Sequence, residues 1–147
     1  MKHSILIALS DSFISTSVLN YLVNLELNPH DQKITLLHVL IRPKAEQSLM
    51  GKKYSSEQEK RMLGYLDKAK ARLLEIGYQQ DQVRTVLLTK PYTTVAEGII
   101  DHFNQESYDM VMIGRKKMSK SEEFVLGDIS IKLVRALART AIVVVKP

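Results

Sequence analysis

Five short apolar runs are spaced along the chain with helix-like stretches between them, and this alternation constrains the fold more than any other feature. The runs are SILIAL within residues 1–9, KITLLHVL at 33–40, QVRTVLLT at 82–89, YDMVMIG at 108–114 and TAIVVVKP at 140–147. Each is almost continuously apolar, the pattern of a strand buried on both faces of a parallel sheet. Between the runs the apolar residues take helical spacing. Ile14, Val18, Leu22 and Leu25 form one stripe, and Leu66, Ala69, Leu73 and Ile76 another, in a helix expected over 55–76. Val95, Ile99 and Phe103 form a third, and Ile129, Leu133, Val134 and Leu137 a fourth, in a helix expected over 128–138. Strands alternating with helices predict an α/β fold: one open, parallel, five-stranded sheet with helices on both faces.

Punctuation supports these boundaries. The SDS tripeptide after the first run offers side-chain oxygens for a helix start. Ser56 with Glu59, and Thr94 with Glu97, have capping-box spacing, and Gly77 is a natural helix stop. Residues 41–54 lose the pattern and read as a polar connection. At 147 residues the chain is expected to be a single domain, 1–147, with enough length to bury its own core. It has no cysteine, which excludes disulfides and sulfur-ligated zinc. The apolar N-terminal run is too short for a membrane span and lacks a cleavage site, so no membrane partner and a cytoplasmic location are expected.

In such a sheet, ligands sit beyond the carboxyl ends of the strands, where the winding direction switches. The loops after the first and fourth strands, 10–12 and 114–127, are therefore the places to look. The second begins IGRKKMSKSEEFVLGDIS, with Gly114 and Gly127 at its ends. Together with LLHVL in the second strand, the segment DMVMIGRKKMSKSEEFVLGDISIKLVRALARTAIVVVKP resembles the universal stress protein family, and the resemblance runs the length of the chain.

The resemblance implies a Rossmann-like fold of the adenine nucleotide alpha hydrolase type, with five strands, four helices and dimers paired along the last strand. Nucleotide-binding members carry Gly, two residues, Gly, nine residues, Gly, then Ser or Thr. Here Gly114 and Gly127 match, Lys117 replaces the middle glycine and Asp128 the hydroxyl residue. The family's aspartate at the end of the first strand aligns with Ser10, and Asp11 stands where glycine is common. Val39 keeps the apolar position near the base. Ser10, Asp11, Val39, Gly114, Lys117, Gly127, Asp128 and Ser130 are thus the candidate cofactor-binding residues, with ATP as the implied cofactor and Mg²⁺ only alongside it.

The substitutions change the chemistry. Glycine lets backbone N–H groups approach a phosphate closely, whereas lysine at 117 would pay about 1–2 kcal/mol for a left-handed backbone. The opposing reading gives Lys117 to the phosphate as a cation. Asp128 precedes a helix, whose amino end attracts anions. Its carboxylate caps that helix and takes the place a phosphate would want. Ser10 cannot make the charge-assisted ribose contact that an aspartate makes.

Other chemistries lack support in the sequence. The basic run Arg115, Lys116, Lys117 and Lys120 is followed at once by Glu122, Glu123 and Asp128 and has no interleaved aromatics, so nucleic acid is not an expected partner. The histidines at 3, 30, 38 and 102 show no metal-ligand spacing, and His38 reads as a hydrogen-bonded core residue. There is no nucleophile elbow and no Walker A lysine motif. The expected protein is not an enzyme, slow ATP hydrolysis being the one activity left open. It is a homodimeric regulatory or partner-binding module, joined through residues 141–145, with an unknown protein partner and a degenerate nucleotide site. The alternative is an ATP-binding stress-response regulator with a modified phosphate loop.

Overall fold

The computed structural model describes residues 2–10, 13–41, 49–115, 120–121 and 128–147, with side chains from 15 in the second segment and from 56 in the third. Five strands form one all-parallel sheet: β1 (His3–Ala8), β2 (Gln32–Val39), β3 (Val83–Leu88), β4 (Met110–Gly114) and β5 (Ala141–Val145). Their spatial order is β3-β2-β1-β4-β5. The winding direction therefore reverses between β1 and β4. Four helices connect them: α1 (Phe13–Asn24), α2 (Leu49–Glu75), α3 (Val95–Gln105) and α4 (Ile129–Ala136).

Side chains alternate across the strands, so each strand feeds two cores. Ile5, Ile7, Ile34, Leu36 and Met112 pack with Val18 and Leu22 of α1 and Leu66 and Leu73 of α2. Leu6, Leu37, Val39, Val111 and Ile113 pack with Ile99 and Phe103 of α3 and Leu133 of α4. This two-sided burial is why the strand segments read as continuous apolar runs. Gly98 lets α3 lie close on the sheet: a Cβ there would come within 2.6 and 2.9 Å of the two Val39 methyls. Gly77 has φ +114°, and the N–H groups of Gly77 and Tyr78 close the end of α2 on Leu74 and Leu73. Its role as a helix stop follows from that backbone angle.

The structure corrects several expectations. Helix α2 starts at Leu49 instead of residue 55, so Ser56 and Glu59 lie inside it and form no capping box. Lys and Glu are good helix formers, and the lost apolar stripe at 49–54 concealed a helix whose first turns bear no regular apolar pattern. Of the stretch expected to be a connection, residues 42–48 lie outside the described residues. Leu25 and Ile76, expected on inward stripes, are 39% and 42% exposed and fall just past the ends of α1 and α2. Ile129 and Val134 are 38% and 62% exposed. A helix of two turns at the sheet margin buries one narrow stripe, here Ser130, Leu133 and the following Leu137. The helix also ends at Ala136, two residues early. The side chain of Ile14 is outside the described set.

The Thr94 cap holds: its hydroxyl accepts the Glu97 N–H at 3.1 Å. Glu97 reaches back to the N–H of Thr93, one residue before the position a capping box uses. At the amino-terminal end of the strands, a network joins three elements and the α3–β4 turn. The Tyr108 hydroxyl lies 2.7 Å from His102 Nε2 and receives Arg84 Nη2 at 2.8 Å, while the same nitrogen meets Glu106 at 2.7 Å and Thr35 Oγ1 at 3.3 Å.

Candidate functional site

The switch point lies between the carboxyl ends of β1 and β4, which pair in parallel from Ile5–Met110 to Ile7–Met112. Continuing that register brings Ser10 level with Arg115. From there the chain leaves to opposite faces, toward α1 after β1 and toward α4 after β4. Two short polar constellations close this end, one on each route.

On the β1 side, the Ser10 N–H donates to Ser15 Oγ at 2.6 Å, and the two hydroxyl oxygens are 3.1 Å apart. Ser15 is buried in the first turns of α1. The hydroxyl that stands in the aspartate position is thus turned toward α1. His38 Nδ1 is 2.7 Å from the Leu9 carbonyl. A carbonyl only accepts, so Nδ1 carries the proton. His38 is hydrogen-bonded as expected, although it is half-buried instead of sealed in the core. Val39 is buried, but its side chain lies among Leu37, Ile99 and Phe103 beneath α3. Only its backbone edge remains for a ligand above the strands.

On the β4 side, Gly114 ends the strand and the Arg115 N–H bonds to the Val145 carbonyl at 2.9 Å. That bond directs the Arg115 side chain from the strand end toward the start of α4. Asp128 is the N-cap there, with extended backbone (φ −110°, ψ 124°). Its Oδ1 accepts the Ser130 N–H at 2.9 Å and the Ser130 hydroxyl at 2.6 Å. Its Oδ2 lies 2.6 Å from Arg115 Nη2. This second contact is an ion pair made off the hydrogen-bond line, so Oδ2 is held by charge without an aligned donor. The Asp128 side chain is only 4% exposed, against 30% for Arg115. Burial pushes the carboxyl up, but the Ser130 hydroxyl and N–H, then the Arg115 guanidinium, outweigh it and hold the group below the usual carboxylate range. Asp128 is therefore ionised at neutral pH.

Of the expected site residues, the structure brings Gly114, Asp128 and Ser130 to one place, with Ser10 at the facing strand end and Val39 one strand further over. Asp11, Lys117 and Gly127 lie outside the described residues. Two contributors were missed by sequence reasoning. Arg115 was counted into a solvated basic run, yet it pairs with Asp128; the signal was its place directly after a strand-ending glycine. Ser15 offered no signal beyond being a small polar residue near a helix start. A separate open groove of 540 Å³ runs between α3 and α4, lined by Tyr92, Ile100, Asp101, Asn104 and Lys132 among others, and shares no residue with the crevice. Among the described residues no helix is long and apolar enough to cross a membrane.

The profile of the universal stress protein family matches residues 1–146. Solved structures share the fold. A universal stress family protein from Burkholderia pseudomallei is 17% identical, with 97% of this chain and 95% of that one covered and a TM-score of 0.70. A universal stress family protein from Arabidopsis thaliana with AMP bound is 17% identical over 98% and 91% of the two chains, TM-score 0.65. A universal stress protein in complex with cAMP is 12% identical over 97% and 95%, TM-score 0.67. No curated protein sequence matches the chain.

Proposed function

The chain belongs to the universal stress protein family, and from that premise we propose that it is a dimeric regulatory or partner-binding module of the cytoplasm with a degenerate nucleotide site. The observation that carries this reading is the buried Asp128 carboxylate at the start of α4, satisfied by Ser130 and Arg115. The donors that a ligand phosphate would need there are already engaged, and the Ser10 backbone and hydroxyl are engaged with Ser15. On this reading the protein binds and does not catalyse.

Isothermal titration with ATP and Mg²⁺ tests the claim. The expected outcome is no binding at micromolar ligand; a micromolar Kd would overturn it. The second reading, an ATP-binding regulator with a modified loop, is favoured by the nucleotides that accompany two similar structures. It predicts excess absorbance at 260 nm in freshly purified protein, with Mg²⁺ needed only when ATP binds.

Dimerisation is supported by the sheet margin. β5 is an edge strand of apolar residues, with β4 as its one neighbour. Beside it α4 leaves Ile131 and Val134 49% and 62% exposed. An apolar edge of this kind is a hazard unless another chain covers it. Sedimentation at micromolar protein should give a dimer, and a Val143→Lys change should shift it toward monomer. Monomer alone in the unaltered protein would remove the proposed edge pairing.

A further inference from the structure

We infer that Asp128 sets the charge of the ligands this crevice admits: its carboxylate is an internal anion, clamped by Arg115 and Ser130, that excludes molecules carrying a phosphate at the start of α4. The inference rests on the reading of the crevice as a degenerate nucleotide site and names the residue responsible.

A helix start just beyond a strand end is where an anion is favoured, because unpaired N–H groups and the positive end of the helix dipole converge there. Three groups in this structure could serve an incoming anion: the Ser130 N–H, the Ser130 hydroxyl and the Arg115 guanidinium. All three point to a single carboxylate, at 2.9, 2.6 and 2.6 Å. One guanidinium against one carboxylate leaves the place with no net charge. A phosphate added beside a carboxylate that is 4% exposed would meet like charge in a desolvated setting, where repulsion is weakly screened. Oδ2 adds an independent mark. It is buried and lacks an aligned donor, so the carboxylate is not fully satisfied by the cap alone and depends on the Arg115 charge.

The two partners have opposite expected effects, which separates this idea from a purely structural role. Serine is as good an N-cap as aspartate, so Asp128→Ser keeps the helix start while removing the charge and releasing Arg115. Arg115→Gln leaves the carboxylate in place and removes the cation. Excluding anions therefore predicts that Asp128→Ser gains affinity for phosphates and that Arg115→Gln does not.

The test is calorimetric titration of the unaltered protein, Asp128→Ser and Arg115→Gln with AMP and with inorganic phosphate, with thermal melts alongside. Asp128→Ser should bind AMP more tightly than the unaltered chain by a factor on the order of ten or more, and Arg115→Gln should show no gain. Asp128→Asn, which keeps the volume and one cap acceptor, repeats the test if the serine variant does not melt cooperatively. Equal AMP affinity in the unaltered protein and the neutral variants overturns the inference, as does a gain in Arg115→Gln. If that equality comes with no MgATP binding by the unaltered chain, the degenerate-site reading stands and this inference alone falls. If the unaltered chain binds MgATP at micromolar concentration, the degenerate-site reading falls too.

Discussion

Both ends of the sheet are closed by charged and polar side chains, but they are closed by different means. At the amino end, Arg84, His102, Glu106, Tyr108 and Thr35 come from β2, β3, α3 and the turn before β4, and meet at one phenol. Ser4 of β1 adds a neighbouring tie, its N–H donating to Asp109 at 2.8 Å. At the carboxyl end the closing bonds are short in sequence: Ser10 to Ser15, and Asp128 to Ser130, with Arg115 to Asp128 as the one longer link. The amino end is thus a tertiary lock, which no single local change can replace. The carboxyl end is assembled from helix caps, and a cap can change identity without loss of the fold. That difference explains how a site on this scaffold can alter its ligand chemistry while the sheet stays intact.

The largest expected effect comes from breaking the amino-end lock at its centre. Tyr108→Phe leaves the buried His102 Nε2 without its partner and should cost about 1–3 kcal/mol in denaturant unfolding. Asp128→Asn at the other end should cost about 1 kcal/mol or less. A reversal of that order would contradict the contrast drawn between the two ends.

Mild acid should separate the ends next. Burial lowers the proton affinity of His102, and Arg84 adds to this, while Glu106 and Asp101 pull the other way. The unfolded chain then binds that proton more readily than the folded one. Stability from this group is full above about pH 6.5 and is lost as pH falls below it. Asp128 has the opposite dependence. Its depressed carboxyl contributes above the unfolded value of about 3.9 and is lost only as pH falls through the lower folded value. Between pH 7 and 5, Tm should fall, and His102→Gln should flatten part of that slope. Asp128→Asn should leave the slope unchanged.

The smallest effect belongs to the rim of the lock. Glu106 and Arg84 are each half-exposed, and their ion pair is screened by water. Glu106→Gln should therefore change stability by at most about 0.5–1 kcal/mol in denaturant melts. A much larger loss would mean that Glu106 orients Arg84 on Tyr108, making the lock more cooperative than a set of pairs.

The elements most legible in the sequence were those whose signals lie within one strand or one helical turn. The five apolar runs became the five strands, Thr94 and Asp128 became caps, and Gly77 became a stop. The weak point was α2, where residues 49–54 are helical without an apolar stripe. Inward stripes also overran helix ends, as Leu25 and Ile76 show, because periodicity does not reveal where the sheet stops covering a helix.

By itself the sequence determined the kind and order of the elements, the cap chemistry at Asp128 and the absence of cysteine chemistry. Those follow from spacing and residue type, which act over a few residues. Only the tertiary structure decided that Arg115 pairs with Asp128, that Ser10 turns to Ser15, and that Tyr108 gathers residues from 35 to 108 around its hydroxyl. These contacts depend on the register of parallel strands and the placement of helices over them. Local periodicity carries no information about either.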